Sequence, residues 1–330
     1  MSVNAQLPAT QKRWIWPGSI DGIDGPHLIN DKIQQPGAGE GALEEDLTPG
    51  SDPVGVVVAV GPTSGLDDDV TWKAFLGDKG TGMKASMLSN AMGANLQGTL
   101  MEYRTFPATS LVRLPNSLSF TDAASYCCAG VTAYNALFGG FRPFLPGETV
   151  LLMGTGGVSL FGAQIARASG ARLIIISSSD DKLAEVKTLL GAVETINYKS
   201  HPNWHERVLE ITEGRGADII LEVGGKSLPK SIKAVAVGGT VSVIGFLGGF
   251  GVNWNDSIME LMAKGCTVRG IPVGTRQQHL ALIQLFELHN IKPVINKTFQ
   301  FNQVKEALKT MEKQDFLGKI VIQIVAETAN

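Results

Sequence analysis

The sequence predicts an α/β protein: a doubly wound parallel sheet with crossover helices, attached to a smaller β-rich part. Two observations carry that prediction. From Thr149 onward, short apolar runs alternate with helical stretches, the pattern of strands linked by crossover helices. The runs are apolar almost throughout, as in Leu173-Ile174-Ile175-Ile176, which suits strands covered by helices on both faces. Residues 1–120, by contrast, are rich in Gly and Pro and lack helical periodicity.

Taken in order, Val54 to Val60 and Leu100 to Phe106 read as strands stopped by Gly61-Pro62 and Pro107. Ala123 to Phe138 reads as one apolar helix. Thr149 to Met153 is then a strand, and the helix after it places Val158, Phe161, Gly162, Ile165 and Ala166 on one face before Gly170 stops it. Arg172 to Ile176 is the next strand, followed by a helix from Asp180 to Leu190 that Gly191 ends. Thr195 to Asn197, Asp218 to Val223, Thr240 to Gly245 and Thr267 to Ile271 supply further strands, with helices over Trp204 to Thr212 and Ser227 to Ala236 between them. Beyond Gly274, helices over Gln278 to His289 and Val304 to Met311 lead to a final strand, Lys319 to Val325, expected to pack back on the first part.

Composition narrows the function classes. The chain has 330 residues, 44% hydrophobic and 18% charged, with a formal net charge of -3, enough apolar material for a full core divided between two domains. No block of like charge offers a footprint for nucleic acid or an anionic membrane. Met1 to Thr10 carries neither a basic nor an apolar leader segment, and no apolar run reaches the ~18 residues of a spanning helix, so a soluble cytoplasmic protein is expected. Cys127, Cys128 and Cys266 read as small buried hydrophobes in a reducing compartment.

Gly154-Thr155-Gly156-Gly157-Val158-Ser159 follows a strand and opens a helix, the setting in which a glycine pattern signals dinucleotide binding on a Rossmann unit. Gly154 permits the tight turn, and Gly156 lets the backbone approach a pyrophosphate lying at the helix N-terminus. Ser159 stands where a third glycine is usual; it is small enough for close packing and leaves a hydroxyl for a phosphate oxygen. Near the end of the second strand, where an NAD site carries an acid, this chain has Ser177-Ser178-Ser179. Hydroxyls there, with Lys182 one turn into the next helix, favour the 2′-phosphate of NADP(H). The plainer alternative is that Ser179 or Asp180 caps the helix and Lys182 is a solvated surface lysine.

Several segments together resemble the medium-chain dehydrogenase/reductase superfamily, in its zinc-free branch similar to quinone oxidoreductases and alcohol dehydrogenases. They are Pro49-Gly50-Ser51-Asp52 with Gly55 and Val58-Ala59-Val60-Gly61, Ala129-Gly130-Val131-Thr132-Ala133-Tyr134, Gly154 to Ser159, Ile196-Asn197-Tyr198, and Leu317-Gly318-Lys319-Ile320-Val321. The resemblance implies a GroES-like substrate domain over residues 1–120, completed by 273–330, and a Rossmann dinucleotide domain over 121–272. It implies that Thr132 lies beside the nicotinamide and Tyr198 beside the adenosine, although Tyr198 also reads as an ordinary surface tyrosine. Ile244, Gly245, Phe246 and Leu247 would border the nicotinamide pocket. It also implies that related reductases pair sheet edges into a homodimer, with Gly251 to Trp254 as a candidate edge strand or an ordinary loop.

The superfamily's zinc sites need four closely spaced thiolates, or Cys and His ligands with a carboxylate nearby. This chain has neither: His27 is isolated, and Ser51-Asp52 stands where a His-Glu pair could be, so no metal is expected. The family's stretch between the first strands is also shortened, since Pro36 to Glu40 runs almost at once into Pro49-Gly50. That shortening truncates the GroES-like domain and takes with it the usual place of the proton donor. Tyr103, Glu102, Tyr134 or a water could replace it, although each of the three side chains reads more readily as strand or helix packing. The expected activity is NADPH-dependent reduction of a small-molecule carbonyl or conjugated carbon-carbon double bond, an enoyl or quinone-like substrate. The alternatives are a cofactor-retaining protein performing a non-redox cyclisation or isomerisation, and an NADPH-sensing binding protein.

Overall fold

The computed structural model describes residues 10–15, 27–32, 48–56, 72–74, 92–93, 96–104, 106, 111–249 and 255–325. The chain divides into two compact units, one formed by Met1–Cys128, Thr275–Leu280 and Ile295–Asn330, the other by Ala129–Gly274 and Ala281–Val294.

In the first unit β1 (Thr10–Ile15) and β2 (His27–Lys32) pair antiparallel, as do β3 (Trp72–Ala74) and β4 (Leu111–Arg113). Arg13 is buried in β1 and donates from Nη1 to Thr48 Oγ1 at 3.0 Å and to Gln97 Oε1 at 3.3 Å. α1 (Phe120–Ala124) starts at Ser119, whose hydroxyl accepts from Asp122 N. The chain then makes a π-helical turn, Tyr126–Gly130.

α2 (Val131–Phe138) leads the second unit, followed by β5 (Thr149–Met153), α3 (Gly157–Ala168), β6 (Arg172–Ser177), α4 (Asp180–Leu190), β7 (Glu194–Asn197), α5 (Trp204–Ile211), β8 (Ala217–Glu222), α6 (Leu228–Ala234), β9 (Val235–Val243), α7 (Asn255–Lys264) and β10 (Thr267–Gly270). The six strands form one sheet in the order β10-β9-β8-β5-β6-β7, every neighbouring pair parallel. α8 (Arg276–Leu288) runs from the first unit into the second. β11 (Ile295–Gln300), α9 (Val304–Lys313) and β12 (Lys319–Gln323) return to the first, where β11 and β12 pair in parallel.

Period-two alternation explains why the strands are apolar throughout. Leu151, Met153, Ile174, Ile176 and Ile220 face Trp204, Val208, Leu228 and Ile232 of α5 and α6. The intervening Val150, Leu152, Ile175, Ile219 and Leu221 are equally buried on the other face. There α3 comes so close that a Cβ on Gly162 would lie 2.7 Å from Cδ2 of both Leu152 and Leu221. Gly170, at φ +84°, stops α3, and Gly191, at φ +71°, stops α4.

Several expectations need correction. The apolar run from Ala123 to Phe138 is not one helix: a π turn separates α1 from α2, and Cys127 within it and Val131 just after it are both buried. The described residues between Leu100 and Phe106 form no strand, although Met101 bridges to Arg13 and Glu102 N donates to Lys12 O at 3.2 Å. The chain there turns to pair with another loop, Gly98 N donating to Thr48 O at 2.6 Å and Leu100 N to Pro49 O at 3.0 Å. Residues 54–56 are likewise irregular, and 57–60 lie outside the described residues. The helix expected to reach Ala236 ends at Ala234, because Val235 already pairs with Ala217 as the start of β9. β9 in turn ends at Val243, leaving Ile244 and Gly245 in the following loop. The sequence reading did not anticipate β1 to β4 or β11. Gly251 to Trp254 and the shortened stretch before Thr48 fall outside the described residues. Among the described residues, no helix is long and apolar enough to cross a membrane.

The contact beneath Gly162 makes a stability prediction. Gly162→Leu should lower unfolding free energy by about 1–3 kcal/mol through overpacking between α3 and the sheet. Urea denaturation measures it, and an unchanged midpoint would mean that α3 does not lie this close.

Candidate functional site

The order of the six strands places a reversal at β5. From there the chain winds outward through β6 and β7, then crosses to the opposite side for β8, β9 and β10. Outside the carboxyl ends of β5 and β8, the helices depart in opposite directions and leave a crevice, the usual ligand position in such sheets.

The turn that enters this crevice is built from glycine for two different reasons. Gly154 has φ +78° and donates its N–H to Ile176 O at 2.7 Å, so the bend itself requires glycine. Gly156, at φ -80° and ψ -177°, has ordinary extended backbone, and among the described residues no atom beyond its chain neighbours lies within 4 Å of where its Cβ would stand. Neither strain nor crowding within the protein calls for glycine at that position. Gly156 is also the N-cap of α3 and has no side chain to cap the first turn, so the helix presents uncapped amides and the positive end of its dipole to open space. Gly157 and Val158 are half-buried, and Thr155 is buried. An anionic pyrophosphate fits this donor set and this clearance.

Ser159 does something other than expected. Its side chain is buried and donates to the carbonyl of Met153, tying α3 to the end of β5, so its proton does not face the crevice. The close packing expected of a third glycine falls to Gly162, one turn later.

The far end of the site forms where β6 meets β7. Ser177 is buried, and its carbonyl accepts from Tyr198 N at 3.0 Å, which brings Tyr198 beside the serine cluster. Tyr198 is 41% exposed. Ser178 is half-buried, while Ser179 caps α4 by accepting from Lys182 N at 3.4 Å. The capping role named as the plainer alternative for Ser179 is therefore present, and Lys182 is half-buried. Asp180 and Asp181 follow in the first turn of α4. Asp180 lines a polar groove of about 800 Å³ along β7, together with Lys187, Asn197 and Glu206, and none of Gly154 to Ser159 lines it.

Comparison with known proteins agrees with this geometry. A family model for zinc-binding dehydrogenases matches residues 157–287. A zinc-type alcohol dehydrogenase-like protein of Schizosaccharomyces pombe is 38% identical over 289 residues, 86% of this chain and 83% of its own. The chain belongs to the medium-chain dehydrogenase/reductase superfamily. A quinone oxidoreductase of Pongo abelii is 30% identical over 268 residues, covering 79% of this chain and 74% of its own. A solved structure assigned as an alcohol dehydrogenase from Sinorhizobium meliloti 1021 superposes with a TM-score of 0.84 at 31% identity, over 97% of this chain and 100% of that one. As a medium-chain dehydrogenase/reductase, the chain is an oxidoreductase by family.

The remaining residues singled out in this medium-chain dehydrogenase/reductase occupy distinct places. Thr132 is buried in α2. Ile244 and Gly245 are half-buried in the loop after β9, where Phe246 and Leu247 are 50% and 78% exposed. Tyr134 stacks on Phe138 with ring centroids 4.7 Å apart, and burial pushes its phenol pKa up. Tyr103 donates its backbone N–H to Gln11 Oε1 at 2.8 Å, and Glu102 accepts from Lys12 N at 2.7 Å, so both residues help hold β1. Among the described residues, no three His, Cys, Asp or Glu side chains converge as metal ligands. Sequence reasoning missed Glu222, a buried carboxylate at the end of β8 followed by Gly224-Gly225. An acid closing an otherwise apolar strand, with two glycines after it, was the available signal.

Gly156 yields a direct test. Gly156→Val should abolish detectable binding of NADPH by calorimetry, because the side chain would fill space that the protein leaves clear. The apo protein should still unfold cooperatively, losing no more than about 1 kcal/mol at the helix cap. Parental affinity in the variant would place the pyrophosphate elsewhere.

Proposed function

We propose that this chain is an NADPH-dependent, zinc-independent reductase acting on a carbonyl, or on a carbon-carbon double bond conjugated with one, in a small enone- or quinone-like molecule. The observation that carries the proposal is Gly156, a side-chain-free position that neither its backbone angles nor crowding among the described residues demands, at the uncapped N-terminus of a 12-residue helix. Gly154 to Val158 would hold the pyrophosphate. Ser177, Ser178, Lys182 and Tyr198 would surround the adenosine end, while Thr132 and Ile244 to Leu247 would border the nicotinamide.

The preference for NADPH rests on the end of β6, where Ser177 and Ser178 stand in place of a carboxylate that would repel a 2′-phosphate. The nearest acid along the chain, Asp180, lines the groove along β7. A bound NADPH would supply the hydride. The chain's own part is to orient the two reactants and exclude water. When hydride adds to carbon, the substrate oxygen takes the negative charge and then a proton. The half-buried Tyr134 phenol, Tyr103 or a water are the candidates to supply that proton.

Zinc does not fit the side chains present. Cys127 is buried, its sulfur directed at the carbonyls of Pro53 and Ala123, while Cys266 lies at the start of β10 beside Lys264. A reducing cytoplasmic setting suits these thiols. A homodimer belongs to the same reading, since α7 exposes Ile258, Met259 and Met262 just before the edge strand β10.

Two outcomes are expected. In fluorescence titrations NADPH should bind more tightly than NADH, and Lys182→Ala should weaken NADPH about tenfold while changing NADH less than about twofold. Tighter binding of NADH would remove the 2′-phosphate assignment. On a panel of enones, quinones and aldehydes the protein should consume NADPH, at a rate that dialysis against chelator leaves unchanged. Bound NADPH with no turnover would point to a sensor or a non-redox role, and loss of activity together with one zinc per chain would overturn zinc independence.

A further inference from the structure

Glu222 closes β8, is wholly buried, and still collects four donors on its carboxylate. Oε1 accepts from Gly224 N at 2.7 Å, Gly225 N at 3.0 Å and Ser227 Oγ at 2.6 Å, and Oε2 accepts from Ser231 Oγ at 2.5 Å. Among the described residues, no lysine or arginine pairs with it. A carboxylate is costly to bury and tolerable only when its lone pairs are met. A turn with no further duty could be made from neutral residues.

What the carboxylate organises lies next to it. The two amides it receives shape the turn Val223-Gly224-Gly225, and that turn seats the loop after β9. Val223 O accepts from Leu247 N at 3.0 Å, Gly224 O from Gly248 N at 2.7 Å, and Glu222 O from Ile244 N at 2.8 Å. Gly225, at φ +77°, lets the loop come so near that a Cβ would stand 2.7 Å from Gly249 O. In that loop Phe246 and Leu247 are 50% and 78% exposed. Ser227 also lies 3.7 Å from Met153 Sδ, at the end of β5, so the same cluster reaches the strand that feeds the phosphate turn.

We propose that Glu222 is a positioning residue: by clasping the turn at residues 223–225 it holds the loop at 244–249 where the nicotinamide half of the cofactor is received. This rests on the dinucleotide reading above. It also goes beyond it, because it assigns the two halves of the cofactor to separable supports. The phosphate turn and the serine cluster hold one half, and the Glu222 clasp holds the other.

The experiment compares 2′,5′-ADP, which carries only the adenosine half, with NADPH. Glu222→Gln keeps the shape but removes the negative charge and makes the Ser231 hydroxyl accept where it had donated. It should leave the Kd of 2′,5′-ADP within about twofold, raise that of NADPH about tenfold, and lower the emission anisotropy of the bound nicotinamide. Ser231→Ala removes one donor, keeps the charge, and should move the same two readouts in the same direction by less. Equal weakening of both ligands, or no change in either, would overturn the proposal. If Glu222→Gln fails to fold, unequal loss in Ser231→Ala supports the clasp, and equal or absent loss overturns it. If the parent prefers NADH, only the phosphate preference fails, and ADP-ribose with NADH replaces the pair. A parent that binds neither dinucleotide overturns the site assignment and this inference together.

Discussion

A parallel sheet wound in two directions from a central strand cannot close over its own carboxyl edge, and the site in this chain depends on that constraint. β5 lies between β6 and β8, and the crossover helices diverge where the winding reverses. Polar backbone is left facing outward at the ends of two buried strands, and buried amides without partners are costly. The molecule meets the demand in two ways. At β8 the Glu222 side chain supplies acceptors, whereas at β5 the turn and the first amides of α3 remain uncapped and open.

That contrast explains the division of labour among the glycines. Gly154 and Gly225 are needed for backbone reasons, both having φ near +78°. Gly162 is needed because α3 presses on Leu152 and Leu221. Gly156 is needed by none of these, and the clearance above it is the feature of the second unit that a bound dinucleotide would explain. The hydroxyls show a parallel split. Ser159, Ser227 and Ser231 are turned inward to hold strand ends, and Ser177 and Ser178 stand at the end of β6 beside Tyr198.

The glycine pattern of a dinucleotide site was therefore legible, but the duty of each small residue was not. Sequence placed Ser159 at a phosphate because of its spacing from Gly154. The hydrogen bond to the Met153 carbonyl depends on the angle at which α3 leaves the strand, and that angle is set by packing at Gly162. Glu222 escaped notice for a related reason. Its partners Gly224, Gly225, Ser227 and Ser231 are ordinary turn and helix residues until β8 and α6 bring their donors to one point.

Local pattern by itself determined the sheet, because strands covered on both faces must be apolar throughout and the helices between them must end where Gly170 and Gly191 allow. It determined the phosphate turn for the same kind of reason, since the φ of +78° at Gly154 is a local requirement. Only the tertiary structure decided the first unit. There Leu100, read as the start of a strand, donates to Pro49, Gly98 before it donates to Thr48, and β1 meets β2, Met101 and Glu102. Only it decided, too, that the apolar run from Ala123 to Phe138 breaks at a π turn and that Val235 leaves a helix for a strand. In each of these cases the choice lies between conformations of similar local preference, and distant partners across the fold select one.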